Sequence, residues 1–314
     1  MVELITGKRE NNYWKEESVY DTLPTTGLIL LKNCIITNNV IQNYEEVNND
    51  GTDSNLLSYE IGIEDTQLTM DWNPQTFREL VLTIGKATNS SVSTYYSHVL
   101  SQNTDKSIDS FSVQRVKNSS AGDLIETFTG CKVNSTTLSW NNGGGGIGKF
   151  LKITNDVLAS GYSIVASLGS AEASPPSMAL YQSRLGVLTI DGNPISEIVS
   201  GTITWSNNLN DSWYGGQNRS EMNPTFVKIT GQLMIHYADN TVPTLFKARA
   251  AVSNCSVVFT RTASSDVATF PLTGMVITKC SDPTKMQDIN VMTFDFNCTS
   301  CLPTVTDSRD DYIE

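Results

Sequence analysis

An all-β fold is the expectation, and three observations carry it. Apolar and polar residues alternate along several short runs, turn-forming clusters separate those runs, and Asn, Ser, Thr and Gly abound where helix formers are sparse. In Gln67–Trp72 the alternation sets Leu68, Met70 and Trp72 on one face. Gln232–Tyr237 does the same with Leu233, Ile235 and Tyr237. Met292, Phe294 and Phe296 alternate with Thr293 and Asp295, and Thr202–Trp205 alternates as well. A repeat of two places every apolar side chain on one side of an extended backbone, which suits half-buried antiparallel strands. Between the runs stand Asn48-Asn-Asp-Gly51, Asn141-Asn-Gly-Gly144, Asp191-Gly-Asn-Pro194 and Ser281-Asp-Pro283, all rich in turn residues. Short helices are expected at Pro74–Ile84 and Val242–Ala251, each following one of the first two strands.

Length and charge narrow the function. A chain of 314 residues can hold one large β domain or two of ordinary size. Its formal net charge of −12 argues against a protein that grips nucleic acid through a basic face. It leaves room for one that lets DNA pass without holding it. No run approaches the roughly 18 apolar residues of a membrane span, and the polar stretch Met1–Asn12 carries no secretory signal. The Asn-x-Ser/Thr triplets at Asn118, Asn134 and Asn218 are therefore read as chance products of an Asn- and Ser-rich chain.

The chain also reads as two related halves. Ser112–Thr154 lies on Ser256–Cys298 without a gap, matching Ser112 with Ser256, Val113 with Val257, Thr129 with Thr273, Gly130 with Gly274 and Phe150 with Phe294. Ile147 falls on Val291 in the same alignment, and upstream Gln67–Trp72 falls on Gln232–Tyr237, again followed by a helix. Leu168–Ser177 is small, polar and broken by two prolines, so it reads as a linker. The expected organisation is a unit at 1–166, a linker at 167–178 and a second unit at 179–314.

Motifs that suggest chemistry have plainer readings. The run Gly143–Lys149 satisfies G-x-G-x-x-G, and G-x-x-x-x-G-K as far as Lys149, but Phe150 stands where a P-loop needs Ser or Thr. Phosphate loops also need a helix N-terminus to supply amides; here β-like Phe-Leu-Lys-Ile-Thr follows, so a hairpin tip is expected. Cys298-Thr-Ser-Cys301 is a single C-x-x-C with no second metal-binding pair, and all six cysteines are expected as reduced thiols packed like small hydrophobes. His98 is placed in a polar loop and His236 on the polar side of its strand, and no Gly-x-Ser-x-Gly elbow frames a nucleophile. No enzyme activity, cofactor or metal is expected. The acidic end, Asp307–Glu314, reads as solvated.

One family resemblance emerges. Gly186-Val-Leu-Thr-Ile-Asp-Gly192-Asn-Pro-Ile-Ser196, Gly201-Thr-Ile-Thr-Trp-Ser-Asn-Asn-Leu209, the loop Trp213-Tyr-Gly-Gly216 and the strand Gly231–Asp239 resemble the C-terminal half of long tail tube proteins of siphophages and related tailed viruses. Phe128-Thr-Gly-Cys-Lys-Val-Asn-Ser-Thr-Thr-Leu-Ser139 is similar to a strand of the family's first half. The tetraglycine loop and the polar stretch Thr88–Asp109 depart from the pattern. The resemblance implies two tandem β-sandwich domains, each with a long hairpin and a short flanking helix. It further implies a structural virion protein, the major tail tube subunit, whose copies form stacked rings around a DNA-conducting channel for genome delivery. Its partners would be itself, in trimeric pseudo-hexameric rings rather than hexamers of the chain, other tail proteins, and the tape measure protein and DNA inside a net acidic lumen without specific binding. Its place would be the virion tail, reached from the host cytoplasm. By the family's arrangement, stacking contacts would come from Asn141–Gly148 and Asn207–Pro224, with Asn142, Gly144, Gly146, Trp213, Tyr214 and Arg219 as inter-subunit candidates. A terminator or baseplate hub of the same fold is the nearest alternative, and a receptor-binding or decoration β-sandwich the next.

Overall fold

The computed structural model describes residues 10–48, 56–105, 107–118, 122–142, 150–171, 178–195, 198–210, 218–236, 241–261, 266–281, 284–286 and 289–309. The first half of the chain contributes β1 (Glu10–Glu16), β2 (Thr26–Leu31), β3 (Cys34–Asn48), β4 (Leu56–Trp72), α1 (Val81–Ile84), β5 (Lys86–Val92), β6 (Tyr95–Ser101), β7 (Phe111–Lys117), β8 (Leu124–Asn141), β9 (Lys152–Ala159), β10 (Gly161–Val165) and β11 (Ser170–Ala171). The second contributes β12 (Gly186–Ile190), β13 (Asn193–Ile195), β14 (Ile198–Ser206), β15 (Lys228–His236), α2 (Thr241–Ala248), β16 (Ser256–Thr260), β17 (Val267–Pro271), β18 (Val276–Cys280), β19 (Thr284–Met286), β20 (Ile289–Cys298) and β21 (Thr304–Asp307). The fold is all-β, as the alternation requires.

The strands form two layers. In the first, β3-β4-β9-β8 from one half run into β14-β15-β20-β18 from the other, every ladder antiparallel, with the β8–β14 ladder as the joint. The second layer is built from β2-β1-β7, the start of β8 and β10 in the first half, and from β13-β12-β16-β17-β21 in the second. The order of pairing is thus the same in both halves. Gly130 and Gly274 mark the same corner, with φ of 58° and 61°, and a bulge falls at Val133/Ser135 against β9 and at Ile277/Lys279 against β20. At that corner β8 leaves one layer for the other, a bend that asks for a residue without a Cβ.

The ladders correct three details of the repeat. Counted from the matching bulges, Phe294 takes the place of Asn155 rather than Phe150, and Val291 takes that of Lys152; Ile147 lies outside the described residues. The connection at 142–151 between β8 and β9 is longer than the one between β19 and β20, so a gapless alignment cannot hold across it. Met70 likewise corresponds to Leu233 and Trp72 to Ile235, a slide of two residues that preserves the buried face.

The expected helices are shorter than their sequence spans. Pro74–Ile84 holds a 3₁₀ turn at Arg78–Leu80 and the single turn α1, ended by Gly85 at φ 133°. Val242–Ala251 becomes α2, which starts one residue earlier and stops at Ala248.

Thr88–Asp109 is largely not irregular: β5 and β6 form a hairpin whose β6 pairs with β21, so this piece of the first half extends the outer sheet of the second. His98 therefore lies in a strand, fully buried, and not in a polar loop. Asp307 is buried as the last residue of β21 and is not a solvated end; 310–314 fall outside the described residues. Of the expected linker, β11 pairs in parallel with β2.

Between the layers lies one continuous core. Leu68, Met70, Trp72, Leu138, Ile203, Trp205, Leu233, Phe294 and Phe296 fill it from the inner layer, all at most 4% exposed. The halves meet there through rings: Phe77 is edge-on to Phe270 at 5.3 Å between centroids, and Trp140 to Phe259 at 5.2 Å. Such pairs add roughly 0.5–1.5 kcal/mol each beyond burial.

Candidate functional site: a polar strand face

Because side chains alternate, the face of the inner layer turned away from the core carries its polar residues. Cross-strand rows run over both halves. One reads Thr69, Asp156, Ser135, Ser206, Lys228; the next, Asp71, Thr154, Thr137, Thr204, Thr230, Asn297; a third, Lys152, Ser139, Thr202, Gln232, Asp295, Lys279. The side chains bond to one another along these rows. Thr154 Oγ1 donates to Asp71 Oδ1 at 2.5 Å, the Thr137 and Thr204 hydroxyls lie 3.0 Å apart, and Gln232 Nε2 donates to Asp295 Oδ1 at 2.7 Å. Lys152 Nζ sits 3.2 Å from Asp71 and Lys279 stands opposite Asp295, so carboxylates offset these ammonium groups. The described face is mostly hydroxyls and amides, with Ile35 and Ile41 exposed at its β3 edge, and these rows carry as many aspartates as lysines.

The joint between the halves rests on buried polar residues that no motif marks. Asn207 Nδ2 donates to Thr83 O at 3.0 Å and Val133 O at 2.9 Å, and its backbone N–H donates to Asn134 O at 2.8 Å. The Thr83 and Thr136 hydroxyls lie 2.6 Å apart, and Thr136 Oγ1 donates to Asn155 Oδ1 at 2.7 Å. In the sequence these are ordinary polar residues; only the fold makes them neighbours.

The candidate contact residues fare differently. Asn142 is exposed but tied to its own chain: its N–H donates to Val199 O at 2.6 Å and its Nδ2 to Ile198 O at 2.7 Å. Gly144, Gly146, Trp213 and Tyr214 lie outside the described residues. Arg219 is 2% exposed, pairs with Asp65, and donates to Thr66 O at 2.8 Å and Ala159 O at 3.3 Å. Its guanidinium faces inward and clamps β4 to β9, because burying that charge requires these acceptors.

His98 Nδ1 lies 2.8 Å from Asn89 Oδ1 and Nε2 lies 3.3 Å from Asp307 Oδ1, so the ring staples β5, β6 and β21 together. His236 sits half-buried on the polar side of β15, as expected. The cysteines form no disulfide, and burial pushes the Cys255 and Cys298 thiols up to about 12. Among the described residues no group of His, Cys, Asp and Glu could hold a metal ion, and no helix is long and apolar enough to cross a membrane.

Two layers of sheet with a long polar face, continued across both halves, define a β-sheet protein of the architectural kind. The family model described as phage tail tube protein matches residues 13–314, and the chain belongs to that family. It is a structural tail tube protein of the virion tail, assembled with itself and other tail proteins. A comparison with curated proteins finds no match.

Proposed function

We propose that this protein is the major tail tube subunit, a non-enzymatic chain whose rings stack into a DNA-conducting tube for genome delivery. The observation that carries the reading is the eight-strand inner layer, polar on one face and made of two four-strand sets with the same pairing order. Tandem units at 1–166 and 179–314, joined through 167–178, account for that repetition. Three copies would close about twenty-four strands, roughly 37 Å across at the backbone for strands about 4.8 Å apart, and wider once the strands tilt. Side chains would leave a bore that admits a duplex whose grooves are about 8.5 and 7.5 Å deep and which is roughly 20 Å thick. Six copies of the chain would double the circumference and leave the duplex loose.

The polar rows suit the wall of that bore. A hydroxyl-rich face whose lysines are offset by aspartates has little to trade for the counterions on DNA, so the genome and the tape measure protein slide past unbound. The stretches Asn141–Gly148 and Asn207–Pro224, with Gly144, Gly146, Trp213 and Tyr214, are the proposed contacts between stacked rings. Assembly would take place in the host cytoplasm.

Negative-stain microscopy of the concentrated protein tests the reading. Hollow tubes with a regular axial repeat are expected. Single unstacked rings would point instead to a terminator or hub, and a monomer at every concentration would overturn the proposal.

A further inference from the structure

The two ends of the inner layer differ from its middle in a way that describes a missing neighbour. Among the described residues β3 pairs only with β4, and β18 only with β20, so each has one ladder and one open edge. By the matching bulges β18 is the counterpart of β8, and by the ladders of β4 and β15 β3 is the counterpart of β14. Inside the chain, β8 and β14 are paired with each other. The helices tell the same story. Every residue of α1 is buried, with Asn207 of the second half bonded to its Thr83 carbonyl. In α2, its counterpart beside β18, Phe246 is 38% exposed and Lys247 and Ala248 lie open. α1 is covered along its whole length, whereas α2 is covered at Val242 and open at its end.

We propose that β18 of one copy pairs antiparallel with β3 of the next, in the alignment of the internal β8–β14 ladder. Within the chain Thr136 stands opposite Trp205 and Ser135 opposite Ser206. The counterparts of Thr136 and Ser135 are Cys280 and Lys279, counted from the bulge. Ile36 holds the place of Gly201, so Val40 and Ile41 hold those of Trp205 and Ser206. Cys280 of one copy therefore faces Val40 of its neighbour, and Lys279 faces Ile41. Ile41, 41% exposed, gains a partner in this arrangement. A second copy of this chain is the occupant, because only another first half presents β3 with this spacing. An open edge is an aggregation hazard in a monomer and ceases to be one when a ring closes it.

The inference rests on the ring reading above, and a thiol cross-link separates the two. Val40→Cys is assembled into tubes, oxidised and run on a non-reducing gel, beside Asn38→Cys and Gln42→Cys. Ring-sized covalent oligomers are expected from Val40→Cys alone, and Cys280→Ser should abolish them. Tubes that cross-link through position 38 or 42 instead, or through none, overturn the pairing while leaving the ring reading intact; an absence of tubes overturns both. Ile41→Lys is a second probe that leaves the core untouched. Opposite Lys279 it should raise the assembly concentration several-fold, since like charges facing across a ladder repel. Assembly of Ile41→Lys at the wild-type concentration counts against the pairing.

Discussion

Glu16 closes β1 in a place where burial, with the Asp109 carboxylate beside it, pushes its pKa up to about 7. Between an ordinary value near 4.5 and about 7 the folded chain keeps a proton that the unfolded chain has released. Stability therefore falls as pH rises across that window. Glu16→Gln cannot ionise, so its melting temperature should drop less than the wild type's between pH 5 and pH 8. Scanning calorimetry at the two values checks this, and equal drops would show that Glu16 does not drive the effect. At this scale the apolar residues were legible: Leu68, Met70, Trp72, Ile203, Trp205 and Phe294 are all buried where alternation put them. The polar ones were not. His98, Asp307 and Asn207 are buried because a partner distant in the chain supplies the missing hydrogen bond, and no local pattern encodes such a partner.

Among the elements, β8 decides most, because its eighteen residues serve both layers. Up to the corner at Gly130 it pairs with β7 and β10; beyond it, with β9 and β14. A Cβ at Gly130 would lie 2.6 Å from Ser160 Cβ, on a backbone already at positive φ. Gly130→Ala should cost about 1–3 kcal/mol, combining left-handed strain with overpacking. A lower urea midpoint at unchanged slope is the expected signature, and an unshifted midpoint would mean that the corner relaxes freely. Strand existence was readable here because period two is a local property. The hairpin β5–β6 was missed because its outward face is polar and its support, β21, comes some two hundred residues later.

For the whole molecule, the test is what the polar face does to DNA. Thr137, Thr204 and Thr230 stand side by side in one row, so replacing all three by Lys would lay a basic band around the proposed bore. Tubes of that variant should retain short duplexes in co-sedimentation at low salt and release them as salt rises, whereas wild-type tubes should retain none. Equal retention by both would place the face outside the channel.

The amino-acid sequence by itself determined the all-β class, the buried side of its clearest strands, the repeated corner glycines and the family, because each is written in residues that are close neighbours or in a pattern carried along the chain. Only the tertiary structure decided which edges meet: β8 with β14, β6 with β21, and one edge each of β3 and β18 with no strand among the described residues. Backbone edges are chemically alike from strand to strand, so the choice among them is made by the packing of both layers at once and leaves no signature in any one segment.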